Sequence, residues 1–343
     1  IASLLRDFSA PVILEQQADD AALAFQVAHD TDAFNRWEAA QRLAISAILR
    51  VLEGMPVHEA SAALIRALAR SVADQGLDPA LRAQLLALPS EGFIAEQLAV
   101  IEPVALRTAR NAVRDAIARA LAAELRAQLE APHQRAPYSP DPVSAGRRSL
   151  HNAALAFLVE AGIEGADRLA QNQIDQADNM TDRLGALSSL VQSASPLREP
   201  GLVAYASLFD AEPLAMDKWF TLQATMHRQP GDAPVLERVR TLMAHPLFSL
   251  RNPNRIRSLI TSFCSGNLAE FHAEDGSGYR FWAEQVVALD AVNPQIAARL
   301  ARALDRWRKF DPVRQPLMRA ALEQVAANAQ SPDVLEVVGK ALS

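Results

Sequence analysis

Apolar residues recur at helical spacing along nearly the whole of this chain. Phe34, Trp37, Ala44, Ile48 and Val51 fall at three-, four- and seven-residue steps, which predicts one buried face of a helix. Val113, Ile117, Leu121, Leu125 and Leu129 repeat every four residues in a stretch of Ala and Arg, both good helix formers. Leu317, Ala321 and Val325 predict another helix near the end. Only Ser9 to Gln16 (SAPVILEQ), short and β-branched, reads as a strand. The predicted class is all-α.

Turn residues divide this pattern into many short helices. Breaks are expected at Gly54-Met55-Pro56, Gly76 to Pro79, Pro89 to Gly92 and Glu130 to Asp141, and then at a series of X-Pro steps from Ser195-Pro196 to Ser331-Pro332. Several put Ser, Asp or Asn at a helix cap with Pro at the first helical position, where its missing N–H costs nothing. After about residue 145 the regular alternation predicts stacked antiparallel helix pairs, a superhelical array like an α-solenoid. No strict period marks a known repeat. The segment 131–142 (APHQRAPYSPDP) reads as an internal surface loop, because the sequence on both sides of it is alike.

Composition narrows the function classes. Half of the 343 residues are apolar and 22% are charged, which describes an ordered globular chain. The net charge of −6 argues against a nucleic-acid or anionic-membrane partner. A single cysteine, Cys264, excludes an intrachain disulfide and a Cys-based zinc site. No run approaches the ~20 consecutive apolar residues of a membrane span. The start, IASLLRDFSAPV, has neither the basic and apolar regions of a signal peptide nor an initiator Met, so the chain is expected to be part of something longer.

Catalytic motifs are incomplete. His58-Glu59 begins like H-E-x-x-H, but Ala62 stands where the second zinc-binding imidazole belongs. His272-Ala273-Glu274 has the H-x-E form of a deaminase without its C-x-x-C. The seven His residues lack ligand spacing, and neither phosphate-binding Gly-rich loops nor G-x-S-x-G occur. Cys264 follows an apolar stripe and reads as a core residue.

Two places carry more polar detail than packing asks for. In Arg251-Asn252-Pro253-Asn254-Arg255-Ile256-Arg257, Asn252 is a cap, Pro253 opens the helix, and Ile256, Leu259, Ile260 and Phe263 make its buried face. Arg255 and Arg257 flank that stripe about 200° apart, at ~100° per residue. Asn293-Pro294-Gln295 repeats the Asn-Pro start, and Gln295 and Arg299, one turn apart, share a face above the stripe Ile296, Leu300 and Trp307. By composition each of these Arg is a solvated or ion-paired helix residue. The other reading is a polar rim that meets a carboxylate or peptide, which suits the planar fork of Arg. Phe271 to Tyr279 (FHAEDGSGY) marks a tight turn, and in NMTDRL (179–184) and MDKWF (216–220) the polar residues suit caps and ion pairs while Met180, Trp219 and Phe220 suit the core.

Taken in order, LLRDFSAPV (4–12), RWEAAQRL (36–43), NMTDRL (179–184), MDKWF (216–220), NPNRIRSLI (252–260), FHAEDGSGY (271–279) and NPQIAARL (293–300) resemble a known family. It is the C-terminal part of bacterial aminopeptidase N, also called alanyl aminopeptidase, a zinc metallopeptidase of the gluzincin type. The resemblance extends over essentially the whole chain and is weakest at residues 55–150. Family members join an N-terminal β domain, a thermolysin-like catalytic domain, a small β-sandwich and a helical superhelix. Only the last is represented here. The gluzincin H-E-x-x-H with its downstream Glu, the G-x-M-E-N motif and the catalytic Tyr are absent.

The resemblance therefore implies one C-terminal helical domain over 1–343, with 1–17 as a lead-in from the preceding domain. It implies a hydrolase domain without catalytic residues, metal ligands or a cofactor of its own, the zinc being held by the absent catalytic domain. Such a domain closes over the active site, encloses the substrate cavity and, in the NPNRIR and NPQ blocks, contributes substrate-binding groups that correspond here to Arg257, Gln295 and Arg299. The implied partners are the enzyme's own catalytic and β domains and peptide substrates, in the cytoplasm, with neither nucleic acid nor membrane. On this reading the chain alone is inactive. The alternative is a free-standing α-solenoid scaffold that binds a protein partner along its concave face. An upstream H-E-x-x-H with its distal Glu separates the two.

Overall fold

The computed structural model describes residues 2–6, 9–12, 16–130 and 138–343. Among the described residues the regular structure is helical, and the only β-type pairing is an isolated parallel bridge between Ile101 and Phe310. The all-α expectation holds. Of the candidate strand, Ser9–Val12 and Gln16 carry no regular structure, while residues 13–15 lie outside the described residues.

Capping side chains start many of the helices where the sequence places them. Asp78 accepts from Ala80 N at 2.8 Å before Pro79, and Asp141 accepts from Ser144 N at 3.0 Å before Pro142. Ser331 does the same for Val334 N at 3.3 Å before Pro332. Each satisfies a first-turn N–H that has no partner inside the helix.

The chain clusters into two compact units, Ile1–Ile94 with Ala105–Gly201, and Ala95–Val104 with Leu202–Ser343. In the first, helix Asp20–His29 packs on Ala33–Leu52 and on Ala62–Ala73. Arg36 secures that corner, its Nε donating to Val27 O at 2.8 Å. Helix Pro79–Leu86 lies against Pro142–Glu160, where a Cβ on Gly146 would come within 3.0 Å of Ala80 N. The expected loop 131–142 thus joins two parts of one unit; residues 131–137 lie outside the described residues, and Asp141 and Pro142 already start the next helix. Helices Ala166–Gln176 and Met180–Val191 pack on each other and on Pro142–Glu160, a stack of short-linked neighbours of the solenoid kind.

Two expected stripes are corrected. In Ala33–Leu52 the buried face is Arg36, Ala39, Ala40, Leu43, Ala44, Ala47 and Ile48, while Phe34 is exposed and Trp37 and Val51 are half-buried. A small-residue face lets backbones approach closely, so the two bulky rings are displaced outward, where they meet each other at 5.6 Å. The stretch 113–129 is not one helix: it breaks at Leu121 into Pro103–Ala120 and Ala122–Leu129, and Leu129 is half-buried.

The second unit stacks Pro213–Ala224, Val235–Met243, the segment Pro253 to Gly266, Ser277–Asp290, Pro294–Ala301, Arg314–Asn328 and Pro332–Leu342. Its buried tryptophans each donate Nε1–H to a carbonyl of another segment at 2.9 Å: Trp219 to Leu202, Trp282 to Leu300, Trp307 to Ala341. An indole buried with its one donor satisfied contributes its full apolar area to the core. No described helix is long and apolar enough to cross a membrane.

Asp290 joins two of these helices and gives the unit a pH dependence. Burial raises its pKa, but the Ser331 hydroxyl and the Gln330 and Ser331 N–H groups, at 2.6 and 3.0 Å for the latter two, outweigh that and hold it below the ordinary range. A depressed carboxylate contributes stability that is complete above the ordinary aspartate range near pH 4 and is lost as the pH falls through the folded value. Asp290→Asn should cost about 1–3 kcal/mol in urea denaturation at pH 7. The difference from the parent should vanish under acid conditions; a pH-independent difference would contradict the assignment.

Candidate functional site

The Asn252 cap works as the sequence implies, its Oδ1 accepting from Asn254 N at 3.0 Å and Arg255 N at 3.5 Å ahead of Pro253. Ile256, Leu259, Ile260 and Phe263 are all buried beneath it. The two arginines of the block part company. Arg255 is only 4% exposed. Its guanidinium pairs with Asp217, donates to Pro213 O and Leu247 O at 2.9 Å each, and lies over the Phe220 ring at 5.5 Å. Asp217 and Phe220 come from the MDKWF block, so Arg255 locks one block onto the other.

Arg257 faces solvent. Its Nη1 donates to Asn254 Oδ1 at 3.2 Å. It also begins a π-helical turn, Arg257–Thr261, set between the α-helical Pro253–Ile256 and Ser262–Gly266. A π turn inside an α-helix amounts to one inserted residue and is frequent at functional sites. The spacing of apolar residues gave no sign of it, since buried positions 256, 259, 260 and 263 fit an unbroken α-helix equally well.

On the second block, Asn293 Oδ1 accepts from Ile296 N at 3.2 Å and Pro294 opens the helix. Ile296, Ala297, Leu300 and Ala301 are buried, leaving Gln295 and Arg299 exposed one turn apart. Those two are brought together. Arg257 stands on an element with different neighbours: its π turn packs on Pro213–Ala224 and Val235–Met243, while Pro294–Ala301 packs on Ser277–Asp290 and Pro332–Leu342. What the three residues present are donors, two guanidinium forks and an amide, able to meet carboxylate or peptide carbonyl oxygens.

Most of the remaining chemistry-bearing groups are built into the core. In the FHAEDGSGY block, Gly276 caps a helix at φ +67°, a left-handed conformation suited to glycine. His272 is buried, its Nδ1 is 3.0 Å from the Tyr279 hydroxyl, and its ring stacks on Phe310 at 4.2 Å. Burial, aided by the Arg314 charge, pushes its pKa down to about 3, so it stays neutral. Burial raises the Tyr279 hydroxyl and the Cys264 thiol, which keeps both protonated. Arg314 Nε donates to His272 O at 2.6 Å and pairs with Asp311 at 2.6 Å. His58 and Glu59 sit exposed on a one-turn helix. No three His, Cys, Asp or Glu side chains come together as metal ligands among the described residues.

The NMTDRL block is a junction in the first unit. Asn179 caps Met180–Val191 through Asp182 N at 3.0 Å, Asn152 Nδ2 donates to Asp182 Oδ1 at 3.2 Å, and Gln173 bridges Asn152 and the Asp182 carbonyl at 2.7 and 2.8 Å. Met180, expected in the core, is half-buried, because the first turn of its helix is taken up by this polar network.

Comparison with known proteins places this geometry in context. Aminopeptidase N of Escherichia coli strain K12 is 42% identical over 352 residues, which cover all of this chain and 39% of that protein. Aminopeptidase N of Caulobacter vibrioides is 40% identical over 344 residues, again covering the whole chain and 39% of the relative. The crystal structure of Legionella pneumophila aminopeptidase A in complex with aspartic acid superposes with a TM-score of 0.87 at 30% identity, over 98% of this chain and 40% of that one. The chain thus spans about two fifths of the length of the proteins it matches. Residues 20–343 match the family described as "Domain of unknown function (DUF3458_C) ARM repeats", and the chain belongs to that family of helical repeat domains.

Proposed function

We propose that this chain is the C-terminal helical domain of a zinc-dependent, cytoplasmic aminopeptidase N, an enzyme that releases N-terminal amino acids from peptides. One observation carries the reading: the whole chain aligns with proteins named Aminopeptidase N, yet spans only 39% of each. Its role is enclosure and binding. It closes over the catalytic domain, completes the cavity that admits short peptides, and presents Arg257, Gln295 and Arg299 to them. Residues 1–343 act as one such domain, with 1–17 leading in from the domain before.

On this reading the zinc chemistry belongs to the rest of the enzyme. When bound there, the metal polarises the scissile carbonyl. This chain's part is to exclude bulk water, which strengthens charge interactions inside the cavity, and to hold the far end of the peptide. The exposed guanidinium of Arg257 suits a C-terminal carboxylate.

The test is made in the full enzyme with a tripeptide and its C-terminal amide. Arg257→Ala should raise KM for the free-carboxylate peptide about tenfold, the loss of roughly 1.4 kcal/mol of binding, and leave the amide nearly unchanged. Equal losses on both substrates would count against the carboxylate role.

A further inference from the structure

The π turn is closed on the carbonyl of Arg257, and a single residue closes it twice. The backbone N–H of Ser262 donates to Arg257 O across five residues, and the Ser262 hydroxyl donates to the same oxygen at 2.9 Å. The head of Arg257 is held separately, by Asn254 Oδ1 at 3.2 Å from the Asn252-capped turn. Arg257 is therefore fixed at both ends of the residue: Asn254 restrains its guanidinium, and Ser262 restrains the backbone from which its side chain springs.

We propose that Ser262 is a positioning residue for Arg257, and that its hydroxyl reinforces the π turn from which the Arg257 side chain springs. An α-helix would have Thr261 N–H close on Arg257 O. Exchanging one closure for the other rotates the turn before it by about 100° against the turn after it. The buried Arg255 and Ile256 on the turn before, and Leu259, Ile260 and Phe263 on the turn after, resist that rotation, so loss of the hydroxyl loosens the closure between them and with it the aim of the exposed Arg257. The hydroxyl adds a second hydrogen bond to the five-residue closure; the neighbouring N–H groups compete with no such addition. Half-buried and at the surface of the helix, Ser262 fills no core space, so its hydroxyl is its main contribution.

This inference rests on the reading of Arg257 as a carboxylate-binding residue, and the experiment separates the two. KM and kcat are measured in the full enzyme for Ala-Ala-Ala and for Ala-Ala-Ala amide, with Ser262→Ala, Ser262→Thr, Arg257→Ala and the Ser262→Ala/Arg257→Ala double variant. Ser262→Ala should raise KM for the free-carboxylate peptide about threefold to tenfold, the effect of one lost hydrogen bond, without changing kcat or the amide's KM. Ser262→Thr, which keeps the hydroxyl, should behave as the parent. In the Arg257→Ala background, Ser262→Ala should add nothing, because its effect passes through Arg257. If Arg257→Ala separates the two substrates and Ser262→Ala does not, the positioning role falls and the reading of Arg257 stands. Equal effects of Ser262→Ala on both substrates would also overturn the role. No separation by Arg257→Ala overturns both.

Discussion

Gly278→Ala should prevent cooperative folding of the second unit, at a cost above about 4 kcal/mol. A Cβ at this position would overlap the carbonyl oxygen of Phe271 and lie 2.9 Å from its carbonyl carbon. Both are backbone atoms, so the overlap cannot be relieved by a rotamer change. The contact sits where helix Ser277–Asp290 crosses the end of Leu268–Phe271. Around it pack Phe263, Phe271, Tyr279 and Phe281, all fully buried. Separating the two backbones would also break the His272–Tyr279 hydrogen bond and disturb the carbonyl that Arg314 holds. Gly339 supplies the control. It lies in helix Pro332–Leu342 with nothing within 4 Å of its missing Cβ, so Gly339→Ala should stabilise by about 0.5–1 kcal/mol. Urea denaturation followed by tryptophan fluorescence reads both variants. A Gly278→Ala chain within about 1 kcal/mol of the parent would contradict the packing described.

The second large effect separates the neighbouring arginines. Arg255→Met should destabilise by about 2–4 kcal/mol, because it leaves Asp217 unpaired and frees the carbonyls of Pro213 and Leu247. The upper end of that range for buried pairs is not expected, since the Asp217 side chain keeps 17% of its exposure. Arg255→Lys should recover little, as one ammonium cannot replace a planar fork aimed at three acceptors. Arg257→Ala, two residues on, should stay within about 0.5 kcal/mol of the parent, as is usual for an exposed side chain. The expected outcome is a crossed pattern: Arg255 governs stability, and Arg257 governs the distinction between carboxylate and amide substrates. An Arg255→Met chain as stable as the parent would show the pair to be idle.

The sequence carried the helix starts well because a cap is local. Asn252-Pro253, Asn293-Pro294, Asp78-Pro79 and Ser331-Pro332 need only four or five adjacent residues to act, and each does act. The buried stripe 256–263 was legible for the same reason. What escaped depends on distant partners. Phe34 and Trp37 are large and apolar, but their helix is packed through its alanines, a choice made by the helices opposite. Arg255 and Arg257 are alike in type and both flank one stripe; only the arrival of Asp217 from another helix buries one of them. The π turn is a matter of one hydrogen bond closing five residues back instead of four, and spacings of three and four accommodate either. Met180 was drawn outward by a polar junction whose other members lie in two other helices.

The proposed site follows the same division. Gln295 and Arg299 share a face by helix geometry alone, so their pairing was visible in the spacing. The exposure of Arg257 and its restraint by Asn254 and Ser262 needed the fold.

The role proposed for this chain is tested most directly by hydrolysis of alanyl-p-nitroanilide by the chain alone, by the separately expressed upstream fragment with zinc, and by the two mixed. The chain alone should hydrolyse nothing, and mixing should raise activity above that of the upstream fragment by itself. Activity in the purified chain, or a mixture no more active than the upstream fragment, would contradict that role.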